Sequence, residues 1–170
     1  GAFANSFYIQ NGSEPWSGIY IYSSAGLPQM GDSVIVVGEV SEFCWDDGSL
    51  CDGPGTTEIY QPDDIYIISN NNPIPEPILV SSGEALQEQY EGVLIKMNDV
   101  ECISNANGYG VWNVNDGSGV CGIHNTPDGY EHNEEIGEVY SITGVVSSTF
   151  NDWKVDLRME SDVESGADTT

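Results

Sequence analysis

The feature that most constrains this chain is that it carries one strand pattern twice. Met30-Gly31-Asp32-Ser33-Val34-Ile35-Val36-Val37-Gly38-Glu39-Val40-Ser41 is answered, at a constant offset of 106, by Ile136-Gly137-Glu138-Val139-Tyr140-Ser141-Ile142-Thr143-Gly144-Val145-Val146-Ser147. Both segments start after a Gly-acid turn and contain an internal glycine. Upstream, Tyr109-Gly110-Val111-Trp112 and Gly119-Val120-Cys121-Gly122-Ile123 answer Phe7-Tyr8-Ile9-Gln10 and Gly18-Ile19-Tyr20-Ile21-Tyr22; downstream, Trp153-Lys154-Val155-Asp156 answers Thr57-Glu58-Ile59-Tyr60. The chain is read as a tandem duplication.

Almost every periodic segment alternates or is a short β-branched run bounded by Gly, Asn, Asp or Pro, which predicts an all-β fold. The one helical candidate, 83–90 (GEALQEQY), amounts to a turn or two. Residues 70–76 (NNNPIPE) read as a linker or crossover, so the predicted organisation is a β module over 1–72, a linker with a helical turn over 73–89, and a second β module over 90–170. The second copy opens with a long strand, Tyr90 to Cys102, whose counterpart would at the same offset fall before Gly1. The first module is thus expected to lack its own first strand. Its edges beside Phe7, Ile9, Val34 and Val36 would stay open, and a sheet left open invites pairing with another chain. Donor candidates are residues 1–6, Ile78-Leu79-Val80 and 163–170.

Charge narrows the partners. The chain has 28 Asp plus Glu against three Lys plus Arg, a formal net charge of −25. Phosphate contacts draw on Lys and Arg, so nucleic acid is disfavoured, as is long-range attraction to an anionic membrane; no apolar run is long enough to span a bilayer. With 39% hydrophobic and 10% aromatic residues the chain still has the material for a core. Its four cysteines, Cys44, Cys51, Cys102 and Cys121, form no CxxC pair. They are read as two local disulfides, Cys44 to Cys51 and Cys102 to Cys121, which together with the acidic surface points to an extracellular or cell-surface location.

The strings FYIQ, WSGIYIY, GDSVIVVGEVSEF, TTEIYQPDDI, NPIPEPILVSSGEA, YEGVLIKMNDVEC, GYGVWNVNDGSG and GEVYSITGVVSSTFNDWKV resemble, over almost the whole chain, the tandem OB-like modules of secreted bacterial proteins. Some such modules are attached to extracellular endonuclease/exonuclease/phosphatase-type nucleases, others accompany lamin-tail domains in surface proteins. The resemblance implies two small OB-like β-barrels, in each of which a long strand, a hairpin, a Gly-bent strand and a closing strand follow in order.

No catalytic constellation is expected. His124 (GIHNTPDG) and His132 (EHNEE) read as turn or surface histidines, each without a neighbouring Ser or Cys nucleophile in sequence. Asp46, Asp47 and Asp52 in the inserted loop offer hard oxygen ligands for calcium, the one cofactor considered, while Asn115-Asp116-Gly117 is read as a hairpin turn. Trp16 and Trp45, both in loops, are candidate stacking surfaces for sugar rings. The expected function is a secreted, non-catalytic structural module that pairs β-strands between subunits, as a homo-oligomer or an extracellular filament. The alternative is an accessory module binding extracellular polysaccharide or, further off, nucleic acid beside a nuclease.

Overall fold

The structure, a computed structural model, describes residues 5–24, 26–44, 53–126, 130–149 and 152–166. In the first half lie β1 (Ser6–Gln10), β2 (Gly18–Tyr22), β3 (Ser33–Val37), β4 (Val40–Phe43), β5 (Thr56–Tyr60) and β6 (Asp64–Ser69). Then come β7 (Ile78–Leu79), a single helical turn α1 (Ser82–Ala85) and a 3-10 turn at Glu88–Tyr90. The second half holds β8 (Leu94–Ser104), β9 (Val111–Asn115), β10 (Val120–His124), β11 (Val139–Thr149), β12 (Asp152–Asp156) and β13 (Val163–Ser165). The fold is all-β. Helix stays marginal because no apolar stripe of helical period is long enough to hold one.

In the second half, β8, β9, β10, β12 and β11 pair in that order, and β11 pairs back onto β8 to close a five-stranded barrel. The β10–β12 contact is parallel and the others antiparallel. This is the expected order of long strand, hairpin, Gly-bent strand and closing strand. Between Tyr140 and Ile142 the β8–β11 register slips, so that Met97 and Val100 face those two residues with one extra residue between them. Asp99, at φ 53, takes up that bulge, which bends β8 around the barrel. Trp112, Val114, Cys121, Ile123, Ile142, Val146 and Val155 are completely buried inside.

Among the described residues, the first half repeats this topology from the hairpin onward. β1, β2, β5 and β4 form a sheet in the order that β9, β10, β12 and β11 follow, again with one parallel contact, β2 to β5. β3 pairs β6 as the start of β11 pairs β13. The bent strand is continuous in the second half and broken in the first, at Gly38, the counterpart of Gly144. A Cβ at Gly38 would lie 2.5 Å from Cγ2 of Ile59, and one at Gly144 2.5 Å from Cγ1 of Val155. Both glycines are therefore demanded by the same close approach to the closing strand.

Backbone and side-chain hydrogen bonds join the halves: Trp16 N–H to the Gln89 carbonyl (2.7 Å), Leu94 N–H to Gln10 Oε1 (2.9 Å) and Thr56 Oγ1 to the Ser148 carbonyl (2.7 Å). Gly18 and Gly92 meet backbone to backbone, with no room for a Cβ at Gly18.

Candidate functional site

Among the described residues the first half shows no strand paired as β8 is in the second. In the second half β8 lies between β11 and β9. In the first, among the described residues, β3 pairs only β6 and β1 pairs only β2, so the two edges that would flank such a strand are unpaired. Pairing register puts Phe7, Ile9, Ile19, Ile21, Val34, Val36, Val40, Ile59, Ile65 and Ile67 on the inner face. Ile21 and Ile59 are buried under the sheet, but Ile67 is 53% and Val40 58% exposed, whereas Val146, the counterpart of Val40, is 0% exposed. Phe7, Ile9, Val34 and Val36 are half-buried. On the opposite face of the β3–β6 ribbon, Ile35, Val37, Tyr66 and Ile68 are exposed as well. A two-stranded ribbon apolar on both faces is poorly stable without cover.

The structure assigns the expected strand donors differently. Ile78 and Leu79 pair in parallel with Ile95 and Lys96, and Val163 to Ser165 pair with β11, so both segments are occupied in their own barrel. Residues 1–4 and 167–170 lie outside the described residues.

A second feature lies between the halves and was not read from the sequence. Glu42 of β4, Glu88 and Glu91 border a cleft of about 360 Å³, with Trp153 at its side. The Glu91 carboxylate accepts the Thr57 N–H at 3.2 and 3.3 Å, and Thr57 Oγ1 donates to Glu42 Oε2 at 3.0 Å. Burial pushes the Glu91 carboxyl up to about 7; the Thr57 hydrogen bonds oppose the rise and the charges of Glu42 and Glu88 add to it. Glu58, buried on β5, is raised by burial and by Glu42. The β4–β5 pairing brings Glu42 and Glu58 together, and proximity across the duplication adds Glu91, which is far from both in sequence.

Cys102 and Cys121 are free and buried, which corrects the expected disulfide between them. Both stand opposite Val114, Cys102 from β8 and Cys121 from β10, so β9 runs between them. Two strand spacings separate the backbones, roughly 10 Å, beyond the ~7 Å over which a disulfide closes. Burial pushes the Cys121 thiol up to about 12 and raises Cys102 too. Cys44 is disulfide-bonded. Its expected partner Cys51 lies outside the described residues, as do the calcium candidates Asp46, Asp47 and Asp52 and the aromatic Trp45. Among the described residues no group of three or more His, Cys, Asp or Glu is arranged to hold a metal.

Trp16 is 68% exposed in the β1–β2 loop. Its φ of 66 falls in the left-handed region, a conformation held there by the N–H bond to Gln89. Beyond it, Tyr22 and Tyr60 stack at 5.4 Å with planes 10° apart. Asp116 closes the hairpin turn as expected, receiving the Ser82 and Ser118 N–H groups at 2.9 Å each, and these bonds hold its carboxyl well below the usual range. His124 differs from a simple turn residue: its Nδ1 lies 2.8 Å from Asp156 Oδ1 across the parallel β10–β12 pair. His132 packs edge-on against Tyr140.

All three cations are engaged. Lys96 pairs with Glu164 at 3.0 Å, Arg158 with Asp162 at 2.6 Å, and the buried Lys154 donates to the Thr149 carbonyl at 2.9 Å. No family model, curated protein or solved structure matches the chain.

Proposed function

We propose that the chain is an extracellular, non-catalytic assembly module whose incomplete first barrel is completed by a β-strand from another subunit. One observation carries this reading: among the described residues, the edges of β1 and β3 are unpaired where β8 stands in the duplicate, with apolar side chains exposed inside. An unpaired edge is a template for another strand, and pairing that passes head to tail from subunit to subunit gives a ring or a filament. The location outside the cell is supported by the acidic surface and the Cys44 disulfide.

The test is the state of association of native material across a concentration series, by light scattering and negative-stain microscopy. Rings or filaments are expected; a monodisperse monomer throughout the series, at low and high salt, would sink the proposal.

Polysaccharide binding is the second reading, favoured by the exposed Trp16 and the stacked Tyr22 and Tyr60, since flat aromatic faces suit sugar rings. Retardation on glycan-containing gels, lost in Tyr60→Ala, is its test. Nucleic acid is the poorest fit, because each cation already has a partner.

A further inference from the structure

We propose that the end of the β2–β5 pair is a carbohydrate subsite that takes one pyranose unit of a neutral polysaccharide, with the sugar's C–H face on the Tyr60 ring and one of its hydroxyl oxygens on the amide Nε2 of Gln61. The inference rests on the polysaccharide reading, and adds to it the class of sugar and the group that orients it.

Strand pairing builds the platform. β2 and β5 run parallel with Tyr20 opposite Glu58 and Tyr22 opposite Tyr60, and the period of two puts these four side chains on one face of the sheet. Tyr20 is half-buried and Glu58 buried, so Tyr22 and Tyr60 are the exposed end of that face. Their rings cover one another on one side, being stacked and nearly parallel. On the other side of β5 the pairing with β4 ends at Val40 opposite Ile59, so no residue of β4 stands opposite Tyr60, which is 59% exposed. A flat ring held in place by a stacked neighbour and open on its far side suits the C–H face of a pyranose.

Gln61 supplies the directional contact. Its φ of 50 lies in the left-handed region, which costs a residue other than glycine, and hydrogen bonds at both ends of the residue hold it there. Its N–H donates to the Tyr22 carbonyl at 2.7 Å, and its Oε1 accepts the Ser24 N–H at 3.2 Å and the Ser24 hydroxyl at 2.8 Å. A backbone N–H can only donate, so the bond to Ser24 fixes which end of the amide is oxygen. Nε2 is left with both hydrogens unpaired among the described residues, one position along the chain from the Tyr60 ring. Because the amide is already held, a hydroxyl oxygen accepts from it without the loss of rotamer freedom that a loose side chain would add.

Charge selects among the ligands that could stack there. The next charged residues along the chain are Asp63 and Asp64, and all three cations of the protein are engaged elsewhere. A uronate or sulfated polysaccharide would bring anions to a surface of the same sign with no cation to receive them. A nucleobase also has a face for Tyr60, but it carries its phosphate with it. A neutral sugar asks for no cation: the ring takes its apolar face and the Gln61 amide takes a hydroxyl oxygen.

The test is affinity electrophoresis of the whole protein in gels that contain hydroxyethylcellulose or galactomannan, both neutral, or alginate, a uronan, with a glycan-free gel as the reference. Retardation is expected in at least one neutral gel and not in alginate. Gln61→Glu keeps an oxygen for the Ser24 hydrogens and removes the donor, so it should raise the apparent dissociation constant about fivefold, the size of one lost hydrogen bond, with an unchanged melting temperature. Tyr60→Ala should abolish retardation, Tyr60→Phe, which keeps the ring face, should retain it, and Trp16→Ala should have no effect. An unchanged near-ultraviolet signal from Trp112 in the closed barrel shows that each variant is folded. Full binding by Gln61→Glu or by Tyr60→Ala, or loss in Trp16→Ala instead, overturns this subsite while leaving polysaccharide binding standing. Retardation in alginate alone overturns the neutral class of ligand. Retardation in none of the gels overturns the subsite and the polysaccharide reading together.

Discussion

At the scale of single residues, the cysteines and the two equivalent glycines give the sharpest expectations. Cys102 and Cys121 lie in a closed core with thiols made hard to ionise by burial, so a thiol reagent at pH 8 should label neither in the native protein and both after unfolding. A Cys102–Cys121 peptide in a non-reduced map would contradict this. The sequence reading paired them because both lie in one module on strands expected to be neighbours; what it lacked was the register, which slides β9 between them. Gly38 and Gly144 separate the two halves energetically. A Cβ at Gly144 would press on Val155, itself fully buried, and lie 2.7 Å from the Asp156 carbonyl, so nothing nearby can give way. At Gly38 the closest atom is the Ile59 Cγ2 methyl and the nearest backbone atom is Pro62 Cα at 3.2 Å, against 2.7 Å to backbone at Gly144. Gly144→Ala should therefore cost about 2 kcal/mol, in the range of overpacked cores, and Gly38→Ala clearly less. Denaturant midpoints compare them directly, and equal losses would mean that the first half is as closed as the second.

At the scale of elements, the contact between the halves should respond to pH through Glu91. Its carboxyl titrates near 7 when folded and near 4.5 when unfolded, so the folded state binds more protons across that window. Stability from this group is fully present below about 4.5 and is lost as pH rises through about 7. Glu58, also raised by burial, acts in the same direction. His132 acts against them: burial lowers its pKa, so its contribution is lost as pH falls through the folded value. Asp116, held low, loses its contribution only in strong acid. Comparing wild type with Glu91→Gln isolates the first of these. Melting temperatures from pH 5 to 8 should fall by a few degrees in wild type relative to the variant, whose profile should be flatter; parallel profiles would remove Glu91 from the interface. The strands themselves were legible in the sequence because period-two alternation and Gly-bounded runs report local geometry, and the repeat reported topology. Partners across space were not. Ile78-Leu79 looked available as a donor because it is short and flanked by proline, yet it closes against β8, and Glu91 meets Glu42 and Thr57 of the β4–β5 pair only through the docking of one half on the other.

At the scale of the whole molecule, apolar pairing and like-charge repulsion compete, and salt sets the outcome. The gap between β1 and β3 offers hydrogen bonds and apolar burial, contributions that added salt does not weaken. Opposing them is the mutual repulsion of chains at −25, which no free cation relieves, because Lys96, Lys154 and Arg158 are all engaged within the chain. The screening length contracts from about 30 Å at 0.01 M salt to about 10 Å at 0.1 M and about 3 Å at 1 M, the range over which carboxylates away from the gap stop sensing those of a neighbouring copy. Association, read by light scattering, should therefore rise steeply with sodium chloride between those limits. Val36→Asp should stay dissociated throughout, since screening relieves distant charges but not a carboxylate placed in the strand contact itself. Calcium chloride at matched ionic strength separates screening from binding: association beyond the sodium chloride curve that is lost on changing Asp46, Asp47 and Asp52 to Asn would give these three a ligand role, and a curve that coincides with it leaves screening as the cause. If association did not change with ionic strength in either salt, charge would not be what holds the copies apart.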